Sequence, residues 1–292
     1  MKKILLLAAI AASMTASAQV TWNLESDLKG STTEADKYTI SDAVLGAGLT
    51  NDGIAQNTYK DADGASQSYP WKSLKVVPVN AQAPADEGHS SAYTEDKYRN
   101  ISGAIDNGMF MNFTTETVAM EDVLNISSIE FDATRVGTDG VRVNVRIIGN
   151  DENYTSDWLI TGDNASTVAD GGKWQQKDAE GSAWQTTIDA GFEPCRNDAS
   201  KADTSAKCYT HFTVPVPTDV PEDLYQATVQ IAIYGISNNK SAYIHGVKLN
   251  CSIPSAVAGI AEAKAEAKAP VKVITANGVQ IGNYNIAGQQ VK

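Results

Sequence analysis

The stretch from residue 127 to 149 constrains the fold more than any other, because apolar and polar residues alternate through most of it. The alternation runs from Ile129 to Ala133 and again from Val141 to Ile147. A period of two places successive side chains on opposite faces of a strand. The stretch therefore predicts two strands around a turn at residues 138–140.

The length of that turn sets the partners across a hairpin. A two-residue turn would place Phe131 opposite a solvent-facing residue, whereas a three-residue loop at 138–140 places it opposite Ile147. Gly140 provides the positive φ that such loops need. In this ladder Asp132 and Arg146 pair on the outer face.

Further strands are predicted along the chain between long polar connections. The main ones are residues 101–113, 158–161, 227–234 and 241–249. About ten short strands with almost no helical periodicity are typical of a single all-β domain. The sequence predicts an antiparallel two-sheet β-sandwich from residue 19 to 252.

The N-terminal 18 residues have the order of a cleaved secretory signal. Lys2 and Lys3 precede an apolar run, and small residues follow at 16–18. The mature chain would begin at Gln19, and the protein is expected to be secreted or exposed at the cell surface. The apolar run is shorter than the roughly 20 residues that span a bilayer, so no membrane span is predicted.

The last forty residues differ in composition from the rest. Residues 253–270 are an Ala/Glu/Lys linker, and residues 271–292 return to short strands and turns. The segment Tyr-Asn-Ile-Ala-Gly-Gln-Gln-Val at 284–291 resembles the C-terminal sorting regions of exported Bacteroidetes proteins. This resemblance implies that the tail is recognised by secretion machinery; a tail that does not sort would leave the protein in the periplasm.

The body of the chain also resembles a known class. The segments 131–140, 231–237 and 244–249 are similar to the jelly-roll, galactose-binding-like modules of secreted Bacteroidales proteins. The resemblance implies a jelly-roll-like sandwich, in which consecutive strands often cross between sheets. Phe131 and Ile147 would then meet across the core without sharing a ladder. Either arrangement buries Phe131 and Val143.

Charge excludes some partners. The full chain carries a net charge of −12, and without Lys2 and Lys3 the remaining 21 basic side chains face 35 acidic ones, which gives −14. Nucleic acids and anionic membrane surfaces need a cationic surface. Neither is therefore an expected partner.

Three cysteines in an exported chain predict one disulfide and one remaining thiol. Cys195 and Cys208 flank one long polar loop and are the predicted pair, while Cys251 ends an apolar strand. The three lack a CxxC pair or a nearby histidine, so no metal site or cofactor is predicted. A structural calcium in the polar loop at 57–71 remains an alternative, although its Asp61 and Gly64 lack EF-hand spacing.

Catalytic motifs are absent from the sequence. There is no Gly-x-Ser-x-Gly elbow or His-Glu-x-x-His motif, and the three histidines lie far apart. The sequence therefore predicts no catalytic residue. A pair of catalytic carboxylates leaves no sequence signature, so a glycosidase or lyase remains an alternative.

Aromatic residues in polar surroundings are the candidate ligand contacts. Sugar rings dock on flat aromatic faces with polar groups nearby, and this reasoning selects Trp71, Trp174, Trp184, Tyr93 and Tyr98. The alternative is that each tryptophan plugs an edge of the sandwich beneath its loop. Trp158, within a strand-like run, is predicted to lie in the core.

Three functions fit these features. The first is an exported, non-catalytic β-sandwich that binds carbohydrate or another surface ligand through loop aromatics. The second is a structural or adhesive surface protein, and the third is a polysaccharide-degrading enzyme whose carboxylates carry no motif.

Overall fold

A computed structural model gives the structure of the chain, which divides into two compact units, residues 1–253 and 254–292. The structure describes residues 18–60, 63–79, 100–119, 122–136, 140–150, 152–175, 188–196, 209–218, 220–221, 224–236, 241–253, 272–275, 278–281 and 284–285.

Sheet A has eight strands in the described part of the chain, with the order β11-β14-β8-β16-β1-β2. Strand β6 pairs with both β16 and β5. The strands are β1 (Ala18–Trp22), β2 (Gly30–Thr32), β5 (Leu49–Lys60), β6 (Ser66–Pro78), β8 (Asn125–Arg135), β11 (Ala169–Asp170), β14 (Thr210–Pro215) and β16 (Ala242–Ser252).

Sheet B also has eight strands among the described residues, in the order β12-β13-β9-β15-β7-β3. Strand β10 extends it beside β9, and β4 beside β7. The strands are β3 (Tyr38–Ile40), β4 (Val44–Leu45), β7 (Phe110–Thr117), β9 (Arg142–Gly149), β10 (Tyr154–Thr155), β12 (Lys173–Gln175), β13 (Gly191–Glu193) and β15 (Gln226–Tyr234).

Two short helices accompany the sheets in the described part of the chain. They are α1 (Ile101–Asp106), which contacts β15, and α2 (Ala165–Val168), which contacts β11, β12 and β14. Among the described residues of the second unit, β17 (Lys272–Thr275), β18 (Gly278–Ile281) and β19 (Tyr284–Asn285) form a three-stranded sheet.

The core lies between the two sheets. Phe131 of β8 and Phe212 of β14 stack with ring centroids 4.4 Å apart and planes 9° from parallel. Phe192 of β13, in the opposite sheet, meets Phe212 edge-on at 5.1 Å. The ladders of both sheets are antiparallel, so the predicted all-β sandwich is confirmed.

The predicted ladder between residues 127–135 and 141–149 is wrong. Strand β8 lies in sheet A, where Phe131 is opposite Phe212, whereas β9 lies in sheet B, where Ile147 is opposite Val229. Period-two alternation fixes the face of each side chain and leaves its neighbouring strand undetermined. The crossover alternative is confirmed, and Phe131 and Val143 are both fully buried.

Two other strand predictions are also wrong. Residues 101–106 form helix α1 because the Asn100 side chain accepts the Gly103 N–H at 2.6 Å and caps the first turn. Residues 158–161 form no strand, although Leu159 N–H donates to Val145 O at 2.9 Å. Trp158 is only partly buried and is therefore outside the core.

Among the described residues, no helix has both the length and the apolar character needed to cross a membrane.

Truncation of Phe131 tests the central packing. Phe131→Ala is expected to lower the free energy of unfolding by about 3–5 kcal/mol, since it leaves a cavity against Phe212. Thr213→Ala, at an exposed position on the neighbouring strand, is the control and should change stability by less than about 0.5 kcal/mol. Urea denaturation measures both, and equal midpoints would contradict the central position of Phe131.

Candidate functional site

The region predicted as a loop at 57–71 is a projecting hairpin. Strands β5 and β6 run through it, with Tyr59 opposite Gln67, and Gly64 in the connection has a φ of +78°. The loop prediction is therefore wrong. The strands could not be recognised in the sequence because the end of the hairpin is largely exposed and lacks apolar alternation. Asp61, of the candidate calcium loop, lies outside the described residues.

The hairpin carries a cluster of aromatic side chains on one face. Tyr69 lies at its centre, with ring centroids 5.0 Å from Tyr59, 5.0 Å from Trp71 and 4.6 Å from Tyr209. Residues 69 and 71 share a face because successive side chains of a strand alternate. The hairpin is thereby packed against the start of β14, which Tyr209 precedes.

Buried polar groups fix Tyr209 beneath this cluster. Its hydroxyl lies 2.5 Å from Ser73 Oγ and accepts a hydrogen bond from Asn57 Nδ2. Asn57 lies at an irregularity in the pairing of β5 with β6. Since all three side chains are buried, these bonds hold the hairpin in one position against sheet A.

Trp71 lies at the boundary between this cluster and a groove. Its indole stacks on the imidazole of His245 at 4.9 Å, with planes 14° from parallel. Trp71 Nε1 is buried and has no hydrogen-bond partner among the described residues. The Trp71 groove has a volume of about 450 Å³ and is lined by Asn23, Glu25, Ser26, Gln56, Pro70, Trp71 and Lys72.

An irregularity in β16 brings His245 to Trp71. The register between β16 and β8 shifts between His245 and Lys248, and Gly246 has a φ of +59°. His245 Nδ1 lies 2.9 Å from Lys72 O. Because a carbonyl only accepts, Nδ1 carries the proton. The ring is thus held flat against Trp71.

A carboxylate lies between two histidines on this face of sheet A. Asp132 of β8 is opposite His211 of β14 on one side and His245 of β16 on the other. The hydrogen bond from His211 Nδ1 to Asp132 Oδ1, 3.0 Å long, raises the pKa of His211. Burial lowers the pKa of His245 despite the nearby Asp132 and Glu25.

Trp174, another predicted aromatic contact, is not brought together with Trp71. Trp174 lies on β12 at the edge of sheet B, partly buried against the core, and its indole approaches Gly162. Trp184, Tyr93 and Tyr98 lie outside the described residues. Trp174 therefore has the placement of an edge plug, and the other three remain predictions.

The predicted disulfide also remains a prediction, because Cys208 lies outside the described residues. Cys195 Sγ accepts the Gly172 N–H at 3.0 Å. Cys251 is buried in the core, and burial raises its thiol pKa to about 11. A protonated thiol is a poor nucleophile, so Cys251 has a packing role.

A buried ionic cluster lies at the edge of sheet B. Glu193 of β13 bridges two guanidinium groups, at 2.5 Å from Arg135 Nη2 and 3.1 Å from Arg142 Nη1. Arg142 is fully buried and also donates to Gly140 O and Gln175 Oε1. The cluster joins β9, β12 and β13 to the end of β8, and its enclosed position suits a structural role better than ligand contact.

Within the described segments, no three His, Cys, Asp or Glu side chains are grouped as a metal site would require. The fold and the groove define the class: an all-β sandwich with a solvent-accessible tryptophan groove on a projecting hairpin. No protein-family model matches the chain, and no curated protein matches it.

Within the aromatic cluster and its neighbours, Trp71 alone was predicted from the sequence as a ligand contact. Tyr59 and Tyr69 carry a signal in the sequence, since they flank the same polar segment as Trp71. Tyr209 and His245 are distant in sequence and carry none, because pairing of β14 and β16 with β8 brings them to the hairpin.

The two histidines should give stability opposite dependences on pH. The pKa of His245 is lower in the folded state than its ordinary value of 6.5, so this residue stabilises the fold above pH 6.5. That stabilisation is lost as the pH falls through the folded-state pKa. The pKa of His211 is higher in the folded state than 6.5, so this residue stabilises the fold below pH 6.5. That stabilisation is lost as the pH rises through the folded-state pKa.

Urea unfolding at pH 5 and pH 8 checks this with His245→Gln and His211→Gln. From pH 8 to pH 5, the difference in unfolding free energy between wild type and His245→Gln should become less favourable to wild type. The difference between wild type and His211→Gln should become more favourable to wild type. Changes in the same direction for both variants would contradict the assigned environments.

Glu193→Gln is expected to destabilise the protein by about 3–5 kcal/mol, because it leaves buried Arg142 without its counter-charge. The control is Glu130→Gln, which removes a partly exposed pair with Lys248 and should cost about 1 kcal/mol or less. Urea denaturation compares the two, and equal losses would show that burial does not distinguish these ion pairs.

Proposed function

We propose that the protein is an exported, non-catalytic β-sandwich that binds carbohydrate, with Trp71 as the main contact. The observation that carries this proposal is the composition of the Trp71 groove: an indole beside Asn23, Ser26, Gln56 and charged side chains. A sugar ring has an apolar C–H face and a polar hydroxyl edge. It therefore matches a site with one aromatic wall and several hydrogen-bonding groups.

The rigidity of the site supports binding over a merely structural use of the aromatics. The indole is fixed by the His245 stack, and the hairpin by the hydrogen bonds of Tyr209 to Ser73 and Asn57. A contact residue already held in place loses less conformational entropy when the ligand arrives. This lowers the cost of binding a weakly interacting ligand.

The expected location follows from the two ends of the chain. Residues 1–18 have the order of a secretory signal, and residues 284–291 resemble a Bacteroidetes sorting region. We place the protein at the cell surface or in the medium, and in the periplasm if the tail does not sort. An extracellular glycan is a ligand that such a protein would encounter.

Affinity electrophoresis in gels containing neutral or acidic polysaccharides tests the proposal with Trp71→Ala. The variant should bind about tenfold more weakly or worse at this site, a loss of about 1.4 kcal/mol or more. Trp71→Phe keeps a ring in the groove and should retain part of the affinity.

Trp174→Ala is the matched control, because it removes another partly buried indole, which lies at the edge of sheet B. If Trp174→Ala loses binding and Trp71→Ala does not, the site lies elsewhere. Failure of the wild type to bind any polysaccharide would refute the proposal, and release of reducing sugars or unsaturated uronates would show an enzyme instead.

A further inference from the structure

A second groove lies on the outer face of sheet B, whereas the Trp71 hairpin belongs to sheet A. It crosses β7, β15 and β9, and its volume is about 350 Å³. Thr228 is at its centre because β15 is the middle strand of the three. This Thr228 groove is lined by Asn112, Thr114, Ile148, Glu152, Gln226 and Thr228.

Hydrogen bonds across the strands hold the polar side chains of this face in fixed orientations. Gln230 Nε2 donates to Asn112 Oδ1 at 3.0 Å, and Arg146 Nε donates to Gln230 Oε1 at 2.8 Å. In the next row, the hydroxyls of Thr114 and Thr228 lie 2.8 Å apart. The floor is thus an ordered array of amides and hydroxyls.

The margins of the groove differ from an ordinary solvated sheet face. Arg146 lies over the Trp158 ring at 4.7 Å, and Val44, directly opposite Asn112, is 58% exposed. Glu152 has a φ of +70°, in the left-handed region that non-glycine residues rarely adopt. Such backbone strain occurs often at ligand sites.

The chemistry of these groups indicates the class of ligand. Amides and hydroxyls both donate and accept hydrogen bonds, as the hydroxyls of a sugar do. Arg146 is already hydrogen-bonded to Gln230 and lies over Trp158. The carboxylates of Glu152 and Glu116 would repel an anionic ligand, and Glu116 accepts a hydrogen bond from Gln226 at 2.9 Å. The net charge of −12 acts in the same direction.

We propose that the Thr228 groove is a second binding site, which takes a neutral oligosaccharide chain. The ligand class rests on the proposed carbohydrate-binding function, whereas the location is independent of the Trp71 groove. The two sites lie on different sheets, so one chain can contact a polysaccharide at two places.

A titration of the ¹⁵N-labelled full chain reads the two sites separately. The probes are neutral hexasaccharides of glucose, xylose and mannose, together with hexagalacturonate as an acidic comparison. At least one neutral probe should shift the amide signals of Thr228 and Gln230, and a neutral probe bound in the Trp71 groove should shift the Trp71 indole signal.

Thr228→Tyr fills the centre of the Thr228 groove. The dissociation constant obtained from the Gln230 amide shift should rise at least tenfold, while the one obtained from the Trp71 indole shift should not change. Thr213→Tyr is the matched control, since it places the same ring on the outer face of sheet A and should change neither. Asn112→Ala removes one lining amide and should weaken binding severalfold. Because it also leaves the buried Gln230 amide without its acceptor, urea unfolding of this variant is measured as well, to establish that it is folded under the titration conditions.

The failures are distinguishable. Shifts at Thr228 without any at Trp71 would support this site and refute the assignment of the Trp71 groove. The absence of Thr228 shifts with every neutral probe, or equal weakening by Thr228→Tyr and Thr213→Tyr, would overturn the second site. Binding of hexagalacturonate as tight as that of the neutral probes would overturn the neutral class.

Discussion

The backbone pairing of β16 is the interaction on which the rest of sheet A depends. One edge of this strand pairs with β8, and the other pairs with β6 through residues 242–244 and with β1 through residues 247–251. The shift in register between these two parts turns His245 toward the hairpin. The same irregularity therefore divides the sheet and positions the stacking partner of Trp71.

The sequence predicts the sandwich well because burial of one face requires alternation, as in Phe131 and Val143, which are both buried. It could not assign β8 and β9 to their sheets, because alternation says nothing about which strand lies alongside. Trp71 was recognisable as an aromatic in polar surroundings. Its stacking partner His245 was not recognisable, because the contact depends on an irregularity in β16. The Thr228 groove was not recognisable either, because it is lined mainly by ordinary Thr, Asn and Gln residues.

The two outer faces use different means to keep their side chains ordered. On sheet A, packing among aromatic rings and the buried hydroxyl of Tyr209 holds the groove. On sheet B, hydrogen bonds between neighbouring strands hold Asn112, Gln230 and Arg146. If both bind one polymer, the second contact becomes intramolecular, and two weak sites can give strong retention on an insoluble glycan.

Strand β1 has a consequence for how the chain reaches its native state. It is the first strand in the described part of the chain, yet it pairs with β16, close to the end of the sandwich, and buries Val20 and Trp22 in the core. Pairing between such distant segments requires closure of a very long loop and slows folding. Sheet A cannot be completed until residue 252 has been synthesised and is free to pair, so an emerging chain stays incompletely folded until almost the whole sandwich is available.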